Sequence, residues 1–210
     1  EISTEKLASE SQTWVNERLR YTHGFGVAMS PVTEFTSEGR PEFFAKDIPF
    51  DGVIAVQSEG YTGEPETVIT NPRVYFGEIT NKYVIVNSNT DELDYQAEGG
   101  QINSFSYDGE GGVPISSLIN RIAYAWEFGD LNILITGEIN TGSRVQYRRS
   151  IQDRISTIAP FLLLDEDPYI VAADGGLFWV QDAYTVSDRY PYSDPHPDGL
   201  NNYSRSYVCG

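Results

Sequence analysis

Cysteine is almost absent from this sequence: Cys209, beside the C-terminus, is the only one, which excludes a disulfide scaffold and the cysteine sets of structural zinc. Histidine is nearly as scarce, with His23 and His196 alone. Long apolar runs are missing too. The longest, Ile158–Leu164, contains Pro160 and falls far short of the roughly twenty residues a membrane-spanning helix requires, so this segment is not expected to insert in a bilayer. Positive charge is in short supply: 14 Lys and Arg stand against 31 Asp and Glu, for a net charge of −17. Such a surface repels nucleic-acid phosphates and anionic lipid heads, and no nucleic-acid partner is expected. The nucleophile elbow G-x-S-x-G, the Walker A lysine loop, the dinucleotide G-x-G-x-x-G and the metalloprotease H-E-x-x-H are all lacking, so the familiar signatures of hydrolases, nucleotide binders and zinc enzymes are absent.

What remains is the composition of a folded body. Of 210 residues, 40% are hydrophobic and 13% aromatic, too many for a disordered acidic tail. The chain opens on Glu1 without a signal segment and reads as an excised piece. No repeat, low-complexity tract or flexible linker interrupts it, which favours a single domain over 1–210 with an N-terminal helix and arm at 1–50.

The expected class is α+β (mixed α/β), short strands and hairpins with two or three amphipathic helices. Leu7, Trp14, Val15 and Leu19 recur at roughly helical intervals over residues 5–20, and frequent Gly and Pro then mark a long loop or arm up to Pro49. β-like runs follow at Val53–Gln57, Val68–Thr70, Arg73–Gly77 and Lys82–Asn87, before a polar, acidic stretch from Asn87 to Gly100 that reads as a surface loop. Ser104–Tyr107 could be a strand, and Pro114 sits where a helix would start. Ile115, Leu118, Ile119, Ile122, Ala123 and Trp126 then line one helical face, with Gly129 as its stop. Asn132–Ile139 reads as a buried strand. Ser143–Gln146 has capping-box form and would open a second helix carrying Arg144, Arg148, Arg149 and Arg154, whose guanidinium groups would tie it to acidic neighbours. Tyr169–Asp174 and Leu177–Asp182, joined by Gly175 and Gly176, make a β-hairpin.

Oxygen donors are the chemistry this composition supports. Asn87–Glu98 spaces them faintly like a calcium loop, but Glu92 stands where the loop needs glycine, and a solvated acidic loop is the plainer reading. Asp165 and Asp167 could hold a divalent cation such as calcium, the one cofactor the sequence suggests; a polar turn before Pro168 is the alternative. Gly109–Gly112 could cradle an anion, although Asp108 and Glu110 argue for a simple tight turn. His23 and His196 are the side chains suited to proton transfer near neutral pH, His23 competing with the role of an ordinary hydrogen-bonded loop histidine. Tyr184, Tyr190, Tyr192 and Tyr203 crowd the C-terminal stretch, where aromatic faces can take sugars or peptides or simply pack a loop. The candidate ligand-binding set is therefore His23, Asp182, Tyr184 and Tyr192.

Several strings occur together and in order: Trp14–Gly26 (WVNERLRYTHGFG), Pro72–Glu78 (PRVYFGE), Tyr83–Asn87 (YVIVN), Ser143–Arg149 (SRVQYRR), Ile158–Leu162 (IAPFL), Trp179–Thr185 (WVQDAYT) and Tyr190–Ser193 (YPYS). Together they resemble the bacterial uncharacterised protein family 0182. The resemblance implies a soluble piece of a large multi-pass membrane protein, on the extracytoplasmic face of the cell membrane, with the remainder of its own chain as first partner. The family supplies no catalytic residues to carry over. The expected function is non-enzymatic: ligand or partner recognition, or assembly. The competing expectation is an envelope hydrolase or transferase in which Asp165, Asp167 and Asp182 bind a divalent cation or act as acid and base.

Overall fold

The computed structural model describes residues 11–30, 35–41, 43, 53–55, 66–97, 100–173, 175–186 and 203–209. They build an α+β fold of small antiparallel sheets and short helices. Two compact units emerge, Glu1–Asp51 with Pro72–Arg149, and Gly52–Asn71 with Ser150–Gly210.

The first unit is organised around β5 (Val84–Val86), every residue of which is buried. A continuous β-branched run suits a strand covered on both faces. It pairs with β9 (Arg144–Gln146), Ile85 opposite Val145, and β9 pairs in turn with the edge strand β8 (Val113–Pro114). Gly112, just before β8, has φ of +84° and lies so close to β9 that a Cβ there would meet the Val145 carbonyl at 2.8 Å. Leu19, Tyr83, Ile85, Ile115, Ile133 and Val145 form the apolar core, with Trp14, Tyr124 and Phe128 packed against it. Leu19 comes from a π-helical turn, Asn16–Arg20, the described part of the expected N-terminal helix. Two smaller ladders complete the unit: β1 (Gly24–Phe25) with β4 (Arg73–Val74), and the hairpin β6 (Glu92–Gln96) with β7 (Ile102–Phe105), whose register shifts between Leu93 and Tyr95.

Several local expectations are corrected here. The stretch read as an acidic loop contains β6, because its charged side chains at 92 and 94 are paired within the protein instead of hydrated. Pro114 belongs to an edge strand, where its missing N–H costs no ladder bond. Helix α1 (Leu118–Phe128) begins later, with the Ser117 hydroxyl accepting from Asn120 N and Gly129 closing it in the left-handed conformation. Asn132–Ile139 is not a strand: α2 (Asn132–Ile135) forms there, its first N–H taken by the Asp130 carboxylate at 3.0 Å. Nor does Ser143 cap a helix, since its hydroxyl donates to Asn87 O across 2.9 Å and Val145 is drawn into the core sheet. The arginines do not form a helical row. Arg144 donates to the carbonyls of Gly111 and Gly112, and Arg149 to those of Thr22, Tyr75 and Lys82, leaving Arg154 as the one on the following helix.

The apolar face of α1 points outward. Ala125, Tyr124 and Phe128 make its inner side, whereas Leu118, Ile119, Ile122 and Trp126 are exposed, Trp126 to 88%. Leu131 and Ile135, at and beside α2, add to this surface.

In the second unit β12 (Gly176–Val186) runs through the sheet, pairing with β10 (Leu162–Leu164), β11 (Tyr169–Ala173) and β13 (Tyr203–Cys209). β11 and β12 are the expected hairpin, turning at Gly175 with φ of +77°. β2 (Val53–Ala55) pairs with β3 (Glu66–Val68), and Thr70 N donates to Gly175 O at 2.9 Å. Helix α3 (Ile151–Ile158) is capped by Ser150 and buries Ile151 and Ile155. No helix among the described residues is long and apolar enough to cross a membrane.

Candidate functional site

Of the sequence candidates, His23 has the most elaborate surroundings. It follows Thr22 into the first unit, between the π turn and β1, and its side chain is fully buried. Strand alternation supplies its neighbours. Arg73 and Tyr75 are two residues apart on and after β4, as are Glu92 and Asp94 on β6, and alternate strand residues share a face. The register shift on β6 falls beside Asp94, a place where an irregular ladder can re-aim a side chain.

The resulting contacts are dense. Nε2 of His23 lies 2.9 Å from Asp94 Oδ1, while Arg73 grips the same carboxylate with Nε at 2.7 Å and Nη2 at 2.6 Å. On the other side of the ring, Nδ1 lies 2.9 Å from the Thr22 hydroxyl, which donates to Glu92 Oε2. The Tyr75 hydroxyl donates to that oxygen at 3.0 Å, and the amides of Asn87 and Tyr107 donate to Oε1 at 3.1 and 3.3 Å. Asn87 reaches this position with φ of +52°, a conformation asparagine tolerates better than most residues. Aromatic rings close the cluster: Arg73 Cζ sits 3.6 Å from the Phe105 centroid, and the His23 and Tyr75 rings are 4.8 Å apart.

Burial and pairing oppose each other here. Burial pushes the Glu92 carboxyl up, but the hydrogen bonds from His23, Thr22, Asn87 N and Tyr75 outweigh it and hold the group below the usual carboxylate range. Asp94 behaves alike, burial being overcome by the hydrogen bonds and charges of Arg73 and His23. The Asp94 bond raises Arg73 against its own desolvation, and burial followed by the Glu92 charge raises the Tyr75 phenol strongly. Both ring nitrogens of His23 are engaged, Nδ1 by the Thr22 hydroxyl and Nε2 by the Asp94 carboxylate.

Thr22, His23 and Asp94 follow the connectivity of a nucleophile, base and orienting acid. The resemblance stops at accessibility. Thr22 has no exposed surface, and its proton is committed to Glu92. The cluster ties β1, β4 and β6 together from within.

The remaining candidates lie in the second unit. Asp165 and Asp182 meet through the backbone, Asp165 N donating to Asp182 O at 2.8 Å, and the Tyr184 hydroxyl donates to Asp165 Oδ2 at 2.9 Å. The other Asp165 oxygen accepts from Glu166 N. Asp167 lies in the turn leading to β11, and Tyr192 lies outside the described residues, as do His196 and Tyr190. Among the described residues, no group of three or more His, Cys, Asp or Glu side chains is placed to hold a metal ion. Sequence reasoning missed Thr22, Arg73, Tyr75 and Glu92, and met Asp94 only as one of the spaced oxygen donors of the Asn87–Glu98 stretch. The usable signal was the alternation in Glu92–Gln96, with charge taking the inward positions where apolar residues are expected.

Comparison with known proteins adds a family but no activity. The chain is 44% identical over 209 residues to a UPF0182 protein of Pelotomaculum thermopropionicum, covering 99% of this chain and 21% of that protein. A UPF0182 protein of Desulforamulus reducens is 43% identical over 210 residues with the same coverage, and one of Sulfurovum sp. is 46% identical over 190 residues, 90% of this chain and 19% of the relative. The chain thus spans about a fifth of the length of the curated relatives it matches. No solved structure matches it. The family model matches residues 1–208, and the chain belongs to the Uncharacterised protein family (UPF0182).

Proposed function

We propose that this chain is a non-enzymatic assembly module within a longer bacterial membrane protein, on the extracytoplasmic face, and that it docks on the remainder of its own polypeptide through the outer face of α1 and α2. One observation carries the reading: Leu118, Ile119, Ile122 and Trp126 recur at three- and four-residue steps along α1 and are all exposed, as are Leu131 and Ile135 at α2. Contiguous apolar patches of this kind mark interaction sites. The occupant follows from length, since the relatives carry about four-fifths of their sequence beyond the matched region. Charge agrees, because α1 holds one cation, Arg121, and one anion, Glu127, and presents no net repulsion on a chain of −17.

The test is thiol accessibility. With Cys209→Ser as background, Ile119→Cys should react rapidly with a maleimide in the 210-residue chain and slowly in a membrane-embedded, longer form of the protein. Equal labelling of the two would remove the docking face.

A second reading, the envelope hydrolase or transferase, draws on the contact of Tyr184 with Asp165 beside Asp182. Calcium or magnesium bound by Asp165 and Asp167 would raise the melting temperature over a chelator control. An unchanged melting temperature would discard that cation-dependent form.

A further inference from the structure

In the first unit, the outward face of the β6–β7 hairpin borders a cavity of about 310 Å³. Leu93 falls between Glu92 and Asp94 on β6, so it takes the face turned away from the His23 cluster, and Ser104 stands opposite it on β7. Ile102, half exposed, extends this surface. Two charges of opposite sign line the same cavity: Arg20, the last residue of the π turn, and Asp91, just before β6. No ion pair joins them, and neither side chain makes a hydrogen bond or ion pair among the described residues. Arg20 thereby differs from Arg18, Arg73, Arg144 and Arg149, which all donate to carbonyls or carboxylates of their own chain. Glu92 also borders the cavity, but both its oxygens already accept from Thr22, Tyr75, Asn87 and Tyr107. Arg20 and Asp91 are the charges left for a ligand.

We infer that this cavity binds a small zwitterion with an apolar side chain, an amino acid or short peptide, whose carboxylate pairs with Arg20 and whose ammonium pairs with Asp91. Charge selects the class. A guanidinium takes a carboxylate through two parallel N–H donors, and a carboxylate accepts from an ammonium. A phosphate would meet repulsion from Asp91, and a divalent cation repulsion from Arg20, whereas a ligand with one charge of each sign complements both. Leu93 and Ile102 offer the hydrocarbon for its side chain, and the exposed Ser104 hydroxyl supplies a further polar contact. Size restricts the ligand further, because the volume is near the lower end for small-molecule sites and suits one or two residues. The site shares no residue with the exposed face of α1, so its occupation and the proposed docking stand or fall separately.

The experiment titrates four compounds into the complete 210-residue chain by calorimetry at fixed ionic strength: leucine, leucyl-leucine, 4-methylpentanoate, which lacks the ammonium, and isoamylamine, which lacks the carboxylate. Saturable binding of a zwitterion is expected, about tenfold tighter than that of either singly charged analogue. Tighter binding of leucine assigns the site to a free amino acid; tighter binding of leucyl-leucine assigns it to a peptide. Arg20→Gln and Asp91→Asn remove no contact within the described chain, so each should weaken zwitterion binding by about tenfold while leaving the melting temperature unchanged. The two variants should also split: Arg20→Gln weakens 4-methylpentanoate and spares isoamylamine, and Asp91→Asn does the reverse, a pattern that a general loss of structure would not produce. Absence of saturable binding by both zwitterions, a singly charged analogue binding as tightly as leucine and leucyl-leucine, or binding that both variants leave undiminished overturns the inference.

Discussion

Around His23, ionisable side chains lie out of water, whereas on α1 large apolar side chains lie in it. Both arrangements run against the ordinary distribution of residues between interior and surface. They differ in whether the protein itself resolves the conflict. Glu92 accepts from two hydroxyls and two amides, and Asp94 is clamped by Arg73, so the buried charges are fully engaged by their own chain. On α1, Ile119 and Trp126 remain 79% and 88% exposed. A satisfied anomaly holds a fold together; an unsatisfied one calls for an outside partner. The proposed docking therefore rests on the bare hydrocarbon of α1 and not on the titratable cluster.

The largest effect should come from breaking the satisfied side. Glu92→Ala strands the Thr22 and Tyr75 hydroxyls and two amides, and leaves His23 and Arg73 facing one carboxylate. Urea titration should show a loss of about 3–5 kcal/mol. A loss below about 1 kcal/mol would place the cluster among ordinary surface networks. Arg73→Lys is a finer cut, keeping the charge but losing the fork on Asp94 and the flat contact with Phe105, and should cost about 2 kcal/mol.

Acid titration sharpens the same comparison. Glu92, Asp94 and Asp130 all have carboxyls held below their ordinary range in the folded chain, so the unfolded chain takes up protons first as pH falls. The stability they add is present above the ordinary carboxylate range near pH 4, and is lost as pH drops through the folded values, with each proton contributing a slope of up to about 1.4 kcal/mol per pH unit. Glu92→Gln should flatten the acid limb measured by urea midpoints from pH 5 to 2. An unchanged slope would mean that Glu92 is not ionised in its burial site.

How much of this was legible in the sequence depended on whether the local pattern and the tertiary environment agreed. Val84–Val86 and the hairpin turning at Gly175 were readable, because an unbroken β-branched run and a paired-glycine turn mean the same thing locally and globally. Glu92–Gln96 was not, because polarity was equated with hydration while the hydrogen-bonding partners, His23 and Arg73, lie 71 and 21 positions from Asp94 in sequence. Ser143 failed for a related reason. A Ser followed three residues later by Gln suits a capping box, and only the pairing of Val145 with Ile85 and Val113 decides for a strand. His23 could be picked out as a rare proton carrier, but whether it faces substrate or a closed salt-bridge cluster is decided wholly by distant residues. The α1 pattern gave the face from Leu118 to Trp126 but wrongly joined Ile115 to it, which enters the core before the helix begins, and it left the direction open, since periodicity measures amphipathicity and not which side meets the core.

That direction is the basis of the smallest expected effect, and the most telling one. Ile119→Gln with Trp126→Gln replaces exposed apolar groups by a residue with good helix propensity, so the stability of the 210-residue chain should change by no more than about 0.5 kcal/mol. Its tendency to self-associate in sedimentation velocity should fall, because the contiguous patch is what drives apolar contact between copies. In the longer protein the same pair should raise maleimide labelling at a neighbouring Leu118→Cys to the level of the isolated chain. A stability loss of about 2 kcal/mol or more would show that this face is covered within the chain itself. The contrast with the His23 cluster would then vanish, since both anomalies would be satisfied internally and neither would ask for a partner.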